Sequence, residues 1–439
     1  MGDGAALATL WDLARLGRRT ADELRARQDA RLRRLLRHTY QRVPLYRRLF
    51  DEHGVRPEMV RGAGDLPRLP TTSRSLIQAA PATDCLSGDP GDLIAVRTAG
   101  TTARPLVLYR ARGEERLRSA IRLRALHDLG VRPWDRQVGL ALAPRPRDPR
   151  KPSLPQRTLR AVGLYRRERV DLGAGLPAVV EALRRLRPDV LLAYPSVLAR
   201  LADHASPAAR ADVRPRLCIV GAEVLTPALR ATIEATFGTT VLDWYGCHET
   251  GLIAWQCRPT GLLHVAGHNV ALEVIRDGRP AGPGESGEAV VTSLHGYAMP
   301  FVRYRLGDVV TLGPEPCPCG APVATVRAIE GRTWETVSLA NGRTIHPVAL
   351  NRLVQTVGMP WVGQYQLVQE APDRVAFRIA LRAIPGPEHV AAMQDALGDL
   401  AGPGVRVEVR LETEIEAGPA GKFRQVRPLP PDLPAGAVP

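Results

Sequence analysis

Three observations predict an α/β protein with a large N-terminal domain on mainly parallel sheets, a β-rich subdomain and a small C-terminal α+β domain. Short β-rich runs alternate with helical patterns through the first half, the texture then changes to strands divided by turns, and a compact mixed pattern follows residue 331. At 439 residues the chain is long enough for two or three packed units.

Taken in order, Leu7 to Phe50 sets apolar residues at helical spacing, with Leu32, Leu35, Leu36 and Tyr40 on one stripe and a turn at Val43-Pro44. This predicts helices that form a packing arm, and an exposed stripe on them offers a contact for a homodimer. Beyond Leu66-Pro67 come a strand at Val138 to Ala143, helix Leu176 to Leu186, strand Val190 to Ala193, helix Ser196 to His204, strand Leu217 to Val220 and helix Pro227 to Phe237. Strands separated by helices imply a largely parallel sheet. From Val270 the runs Ala271 to Arg276, Glu288 to Ser293 and Val309 to Leu312 are divided by turns, with Asp277-Gly278 marking a hairpin. After Glu330-Gly331-Arg332 the pattern gives helix Pro347 to Val357, strands near Gln364 to Val368 and Val375 to Ala380, helix Glu388 to Leu400 and strand Val405 to Leu411. The predicted boundaries are 1–331 for the large domain, with its β-rich part at about 265–330, then 332–427 for the small domain and 428–439 for a Pro-rich tail.

Hydrophobic residues make up 44% and charged residues 24%, so the chain has ample surface to bury and no compositional case for disorder. Met1 to Arg37 alternates apolar and charged residues, which is neither a signal-peptide core nor a membrane span, and a cytoplasmic protein without a membrane partner is expected. A net charge of +15 points toward nucleic acid only when the cations cluster. Here all but two of the 60 basic residues are arginine, dispersed along the chain, and aromatics amount to 5%, so a nucleic-acid role is not expected. The two lysines are Lys151 and Lys422. An ammonium kept against so strong an arginine bias singles out Lys422, because the two cations are not interchangeable.

Three segments carry candidate chemistry. Arg97-Thr98-Ala99-Gly100-Thr101-Thr102-Ala103-Arg104-Pro105 sets hydroxyls and a Gly between two predicted strands, suited to phosphate oxygens. Asp243-Trp244-Tyr245-Gly246-Cys247-His248-Glu249-Thr250 follows the β-rich run Thr239 to Leu242, and a carboxylate there can hold a magnesium ion that bridges to phosphates. In Val302-Arg303-Tyr304-Arg305-Leu306-Gly307-Asp308 the aspartate suits two ribose hydroxyls. Read alone, each also fits an ordinary structural turn.

Their order, with Gly221-Ala222-Glu223 between the first two and Gly421-Lys422-Phe423-Arg424 near the end, resembles the adenylate-forming enzymes. Within them it resembles the phenylacetate–coenzyme A ligase branch, with its coenzyme F390 synthetase-like and capsule-biosynthesis relatives. The likeness covers nearly the whole chain, from Val43-Pro44-Leu45-Tyr46 through Asp65-Leu66-Pro67-Arg68-Leu69-Pro70 to Pro300-Phe301-Val302-Arg303-Tyr304 and Glu330-Gly331-Arg332. It implies that Thr98, Gly100, Thr101 and Thr102 contact ATP phosphates, that Glu223 and Tyr245 border adenine, that Glu249 holds magnesium and that Asp308 binds ribose. It further implies that Arg332 sits at a hinge, that a mobile C-terminal domain brings Lys422 to the α-phosphate and carboxylate oxygens, and that Tyr194, Trp244, Cys247, His248 and Leu252 line the acid pocket. Charge builds on the α-phosphoryl oxygens as pyrophosphate leaves, which suits a movable ammonium. The sequence departs from the family pattern at Ala103, where Gly is common, at Arg104, often Lys, and at His248, usually Ser or Thr. Trp334-Glu335 stands where an Asp is usual after Gly-Arg, leaving Glu335 as the pivot.

In a reducing compartment the six cysteines stay thiols. Cys257 and His264 at C-x6-H spacing, with the Cys317-Pro318-Cys319-Gly320 pair, provide three sulfurs and one imidazole, a set suited to structural zinc; some members of the resembled branch bind zinc this way.

The expected function is ATP-dependent activation of a carboxylic acid, aryl or otherwise apolar, followed by transfer to coenzyme A. Two alternatives stay open: transfer to an amine or a carrier-protein thiol, and a catalytically degenerate binding protein, the latter suggested by Ala103, Arg104 and His248. ATP, magnesium, structural zinc and coenzyme A are the expected cofactors and co-substrates.

Overall fold

The computed structural model describes residues 19–97, 106–141, 162–204, 212–332, 336–358, 361–416 and 423–429. Its first part has helices α1 (Ala21–Arg42), α2 (Pro44–Glu52) and α3 (Arg74–Ala79), strands β1 (Ile94–Arg97) and β2 (Val107–Arg110), and helix α4 (Arg112–Asp128). An alternating stretch follows: β3 (Gln137–Ala141), β4 (Arg167–Asp171), α5 (Leu176–Leu186), β5 (Val190–Ala193), α6 (Pro195–His204), β6 (Leu217–Gly221) and α7 (Pro227–Phe237). Then come β7 (Thr240–Cys247), β8 (Gly251–Gln256), β9 (Leu263–Val265), β10 (Val270–Arg276), β11 (Arg279–Pro280), β12 (Ser286–Ser293), β13 (Tyr304–Leu312) and β14 (Thr325–Arg332). The last part holds β15 (Val337–Ser338), β16 (Thr344–Ile345), α8 (Pro347–Leu353), β17 (Val362–Ala371), β18 (Arg374–Leu381), α9 (Pro387–Ala401), β19 (Arg406–Glu412) and β20 (Val426–Arg427).

The chain divides into two compact units, Met1–Val131 with Leu242–Ile329, and Arg132–Val241 with Glu330–Pro439. Strands of the first unit run in the order β11-β10-β12-β13-β14-β9-β8-β7. The pairings of β10 with β11 and β12, β12 with β13, β14 with β9, and β8 with β7 and β9 are antiparallel. Asp277 and Gly278 close the β10–β11 hairpin with φ of 50° and 79°, the left-handed conformations that a two-residue turn needs. One core gathers Ile253, Val291, Tyr304 and Val310 from these strands and Phe301 from the segment before β13. α1 opens on a capping box, in which Thr20 Oγ1 accepts the Glu23 N–H and Glu23 accepts the Thr20 N–H. Its apolar stripe and that of α2 bury Leu32, Leu35, Leu36, Tyr46 and Phe50 against Ala271, Leu294 and Val302. The packing arm is therefore real, but the stripe is covered by its own chain and is not exposed, which corrects the basis for expecting a homodimer contact there.

In the second unit the order β6-β5-β3-β4 is parallel throughout. The strand Val-Leu-Leu-Ala of β5 is almost wholly buried, as a strand covered on both faces requires. Val179 and Leu183 of α5, Leu198 of α6 and Ile233 and Phe237 of α7 pack with Leu191 and Val220. Thr226 caps α7 by accepting the Leu229 N–H at 3.2 Å, and Gly238 ends it at a φ of 58°. A separate sheet, β19-β18-β17-β20, packs Leu367, Phe377 and Ile379 under Leu350 of α8 and Met393 and Leu397 of α9. The helix expected to run to Val357 changes after Leu353 to a π-helical turn, Val354–Gly358. No described helix is long and apolar enough to cross a membrane.

Candidate active site and candidate metal centre

β7 runs on to Cys247 instead of ending near Leu242, because β8 pairs it residue by residue from Trp244↔Trp255 to Cys247↔Gly251. The register shifts between Tyr245 and Gly246, and a Cβ on Gly246 would lie 2.6 Å from the Gly251 carbonyl oxygen. Only glycine allows that approach. The bulge leaves Tyr245 buried, with its hydroxyl donating to Asp308 Oδ2 at 2.7 Å. Two residues separated by 63 positions, one expected at adenine and the other at ribose, thus meet in one hydrogen bond within the first unit. Beyond them the turn is closed by Cys247, whose sulfur lies 3.2 Å from Thr250 Oγ1 and accepts the Thr250 N–H at 3.4 Å. Burial, then the neighbouring Glu249 charge, pushes the Cys247 thiol up to about 12, so it stays protonated and shapes the turn. Trp244 faces the Arg122 guanidinium at 4.9 Å.

Glu249 lines a small cavity in the first unit, bounded by β2, α4 and the residues around Ser293 to Phe301. Arg110 and Arg118 both line it and both donate to the His248 carbonyl, fixing the residue before Glu249 from its backbone. Trp244, Cys247 and His248 do not contribute to its lining. Sequence patterning gave no reason to pick Arg110 or Arg118 out of so many arginines.

Arg303 is a third residue to which the sequence motifs gave no role. It sits at a φ of 45°, rare for a side-chain-bearing residue, and its guanidinium pairs twice with Glu273, at 3.0 and 2.9 Å. It also donates to the Pro67 and Leu69 carbonyls, while Thr72 donates its N–H to the Arg303 carbonyl at 2.9 Å. The Pro-Phe-Val-Arg-Tyr and Asp-Leu-Pro-Arg-Leu-Pro segments are thus tied together, and the tie sets the start of the strand that carries Asp308.

In the second unit Glu223 follows β6. One carboxylate oxygen accepts the Ser196 N–H at the start of α6, at 3.1 Å, and the other accepts the Phe423 N–H at 2.7 Å. Glu223 therefore anchors the residue next to Lys422. Tyr194, half-buried, sits just before α6, and Arg332 ends β14. The preceding Gly331 has a φ of 129°, and a Cβ there would meet Pro347 at 2.7 Å. Asn351 donates to the Glu330 carbonyl at 2.9 Å while its own amide oxygen accepts from Tyr365 and from Gln425, so the entry to the C-terminal sheet is held by a hydrogen-bonded net.

The donor atoms of Cys257, His264, Cys317 and Cys319 all lie within 4.8 Å of one another. Zinc–sulfur bonds of about 2.3 Å in a tetrahedron put ligand atoms about 3.8 Å apart, so this set fits zinc with little adjustment. His264 is carried by β9, paired to Thr325 of β14, and Cys317 is fixed by a hydrogen bond from its N–H to the Ala321 carbonyl at 3.1 Å. The expected C-x6-H and C-x-C pieces are brought together.

Thr98, Gly100, Thr101, Thr102, Ala103, Arg104, Trp334, Glu335 and Lys422 lie outside the described residues.

Residues 161–298 match the AMP-binding enzyme family. The phenylacetate-coenzyme A ligase of Thermus thermophilus is 28% identical over 385 residues, covering 79% of this chain and 78% of that relative. The Escherichia coli phenylacetate-coenzyme A ligase is 29% identical over 315 residues, covering 67% and 68%. Among solved structures, a 2-hydroxyisobutyryl-CoA ligase in its postadenylation state superposes with a TM-score of 0.76 at 19% identity, over 94% of this chain and 91% of that one, which shows the fold. The chain is a relative of the adenylate-forming enzymes. Within that class it stands beside the phenylacetate–coenzyme A ligases, as the sequence motifs implied.

Proposed function

We propose that this chain activates a carboxylic acid with ATP and passes the acyl group to coenzyme A, as an AMP-forming acid–thiol ligase. The substrate carboxylate oxygen attacks the α-phosphorus and pyrophosphate leaves; the thiol of coenzyme A then attacks the acyl carbon, and AMP leaves with the bonding electrons. The observation that carries this reading is the buried Tyr245–Asp308 hydrogen bond beside the Glu249 turn. It sets an aromatic ring and a carboxylate side by side, the two groups that binding a nucleoside would call on. Asp308 would accept from the ribose hydroxyls, and Tyr245 and Glu223 would border the base. Thr98, Gly100, Thr101 and Thr102 would donate to the phosphates. Magnesium held at Glu249 would neutralise phosphate charge. Lys422 would approach the α-phosphoryl oxygens, anchored through the Phe423–Glu223 bond during the first step. Tyr194, Trp244, Cys247 and His248 would border the acid.

A rotation of residues 332–427 between the two steps, with Arg332 at the hinge, would follow from the boundary expected at 331/332, and such a rotation would have to break the Phe423–Glu223 bond. Zinc held by Cys257, His264, Cys317 and Cys319 would clamp the β-rich part; a thiolate set of this kind also favours a reducing cytoplasm. Incubation with ATP, magnesium, an acid panel and either coenzyme A or hydroxylamine tests the acceptor. A thioester that forms only with coenzyme A supports the reading, and adenylate captured by the amine alone contradicts it.

A further inference from the structure

The cavity beside Glu249 is not uniformly apolar. Leu117, Ile121, Met299 and Phe301 supply greasy walls, yet Arg118 projects from the same helix face as Leu117 and Ile121. Among the described residues its guanidinium makes one hydrogen bond, 3.0 Å to the His248 carbonyl, and has no carboxylate in ion-pair contact. The nearby acids are already engaged. Both oxygens of Glu114 are taken by backbone N–H groups, at 2.9 Å from Ala111 and at 2.6 and 2.8 Å from Tyr297 and Ala298. Glu115 pairs with Arg110 at 3.1 Å. Burial, and then the like charge of Arg110, push the Arg118 pKa down to about 10, as a cation lacking a counter-ion requires. A guanidinium has five N–H donors in a planar fork, and a carbonyl uses one of them. The remaining donors suit a bidentate oxygen anion brought in by a ligand.

We infer that the acid taken by this chain carries a second carboxylate or comparable oxygen anion, bound by Arg118 in the cavity that Glu249 also lines. This rests on the adenylation reading for the fate of the other carboxylate; it changes the expected substrate from an apolar acid to one apolar in its body and anionic at a second point, and it seats that second anion in the cavity and not against Trp244, Cys247 and His248, which do not line it. Glu249 on the same cavity leaves the reacting carboxylate beside the proposed magnesium, and the second anion with the fork of Arg118.

The test is calorimetric binding of two matched pairs, phenylacetate against 4-carboxyphenylacetate and propionate against succinate, to the full chain and to Arg118→Met. Arg118→Lys is measured alongside, and thermal melting checks that each variant is folded. In at least one pair the dianion binds the wild type about tenfold or more tightly than the monoanion, the size of a charge-assisted bond, and Arg118→Met removes most of that ratio. Arg118→Lys, with a cation but no fork, keeps part of it. A wild type that favours the monoanion in both pairs, or an Arg118→Met that weakens both members equally, overturns the inference; the second outcome assigns Arg118 to the reacting carboxylate. ATP–pyrophosphate exchange is run with the acids that bind. Selective dianion binding without exchange leaves the Arg118 site standing and removes the adenylation reading.

Discussion

At the residue scale the account depends on a few buried polar contacts. The Tyr245–Asp308 bond is short and out of water, so Tyr245→Phe removes the hydroxyl that donates to Asp308 Oδ2 and loosens the hold on that carboxylate. The expected result is a KM for ATP raised about tenfold, with melting temperature little changed, read by steady-state kinetics and calorimetric ATP binding. Arg303 predicts the opposite pattern. Its removal strands Glu273, a carboxylate whose pKa burial has already raised, so Arg303→Met is expected to cost about 3–5 kcal/mol in unfolding free energy by denaturant titration. Sequence motifs located Tyr245, Asp308 and Glu249 because their order along the chain is informative. They did not give Arg303 its structural role, since a salt bridge to Glu273 thirty positions away leaves no local pattern, and they passed over Arg110 and Arg118, hidden in an arginine-rich composition.

At the element scale the N-terminal arm and the Cys/His cluster each mark one part of the first unit. α1 docks through Gln28, which donates to the Gly267 and Val270 carbonyls at 3.0 and 2.9 Å, and through Arg31, which donates to the His268 carbonyl at 3.2 Å. Beneath it His268 and His295 are held neutral. Burial foremost, with His295, Arg31 and Arg124 adding repulsion, pushes His268 down to about 3, and burial with Arg31 pushes His295 to about 4. The unfolded chain binds protons near pH 6.5 that the native rings refuse. Stability is therefore complete above that pH and declines as pH falls toward 4, by on the order of 2 kcal/mol per ring. Unfolding titrations from pH 7.5 to 4.5 check this, and His295→Gln flattens the slope. The Cys257, His264, Cys317 and Cys319 set predicts one zinc per chain by elemental analysis, with chelation or Cys319→Ser lowering the melting temperature by several degrees. The two halves of that set were readable as short spacings. Their convergence depends on the β9–β14 pairing, which no local pattern reveals.

At the scale of the whole molecule, the alternating stretch was legible where a parallel strand is a continuous apolar run or a helix carries its own cap, as with Val190–Ala193 and Thr226 before α7, whereas the charged strand Arg167–Asp171 carries no such signal. The extension of β7 through Tyr245-Gly246 was not, because an exposed glycine and a following turn read as loop until β8 is in place to pair with them. The fate of the N-terminal stripe was likewise unreadable, since an apolar helix face looks the same whether its own chain or another copy covers it; here Leu294 and Val302 do. The central claim is that these parts serve adenylate formation. Carboxylate-dependent ATP–pyrophosphate exchange, compared between the wild type and Lys422→Ala with folding verified, tests it most directly. The account predicts exchange with at least one acid of the aryl, alkyl and dicarboxylate panel, falling by two or more orders of magnitude in the variant; an absence of exchange with every acid, or a rate unaffected by loss of the lysine, would contradict it.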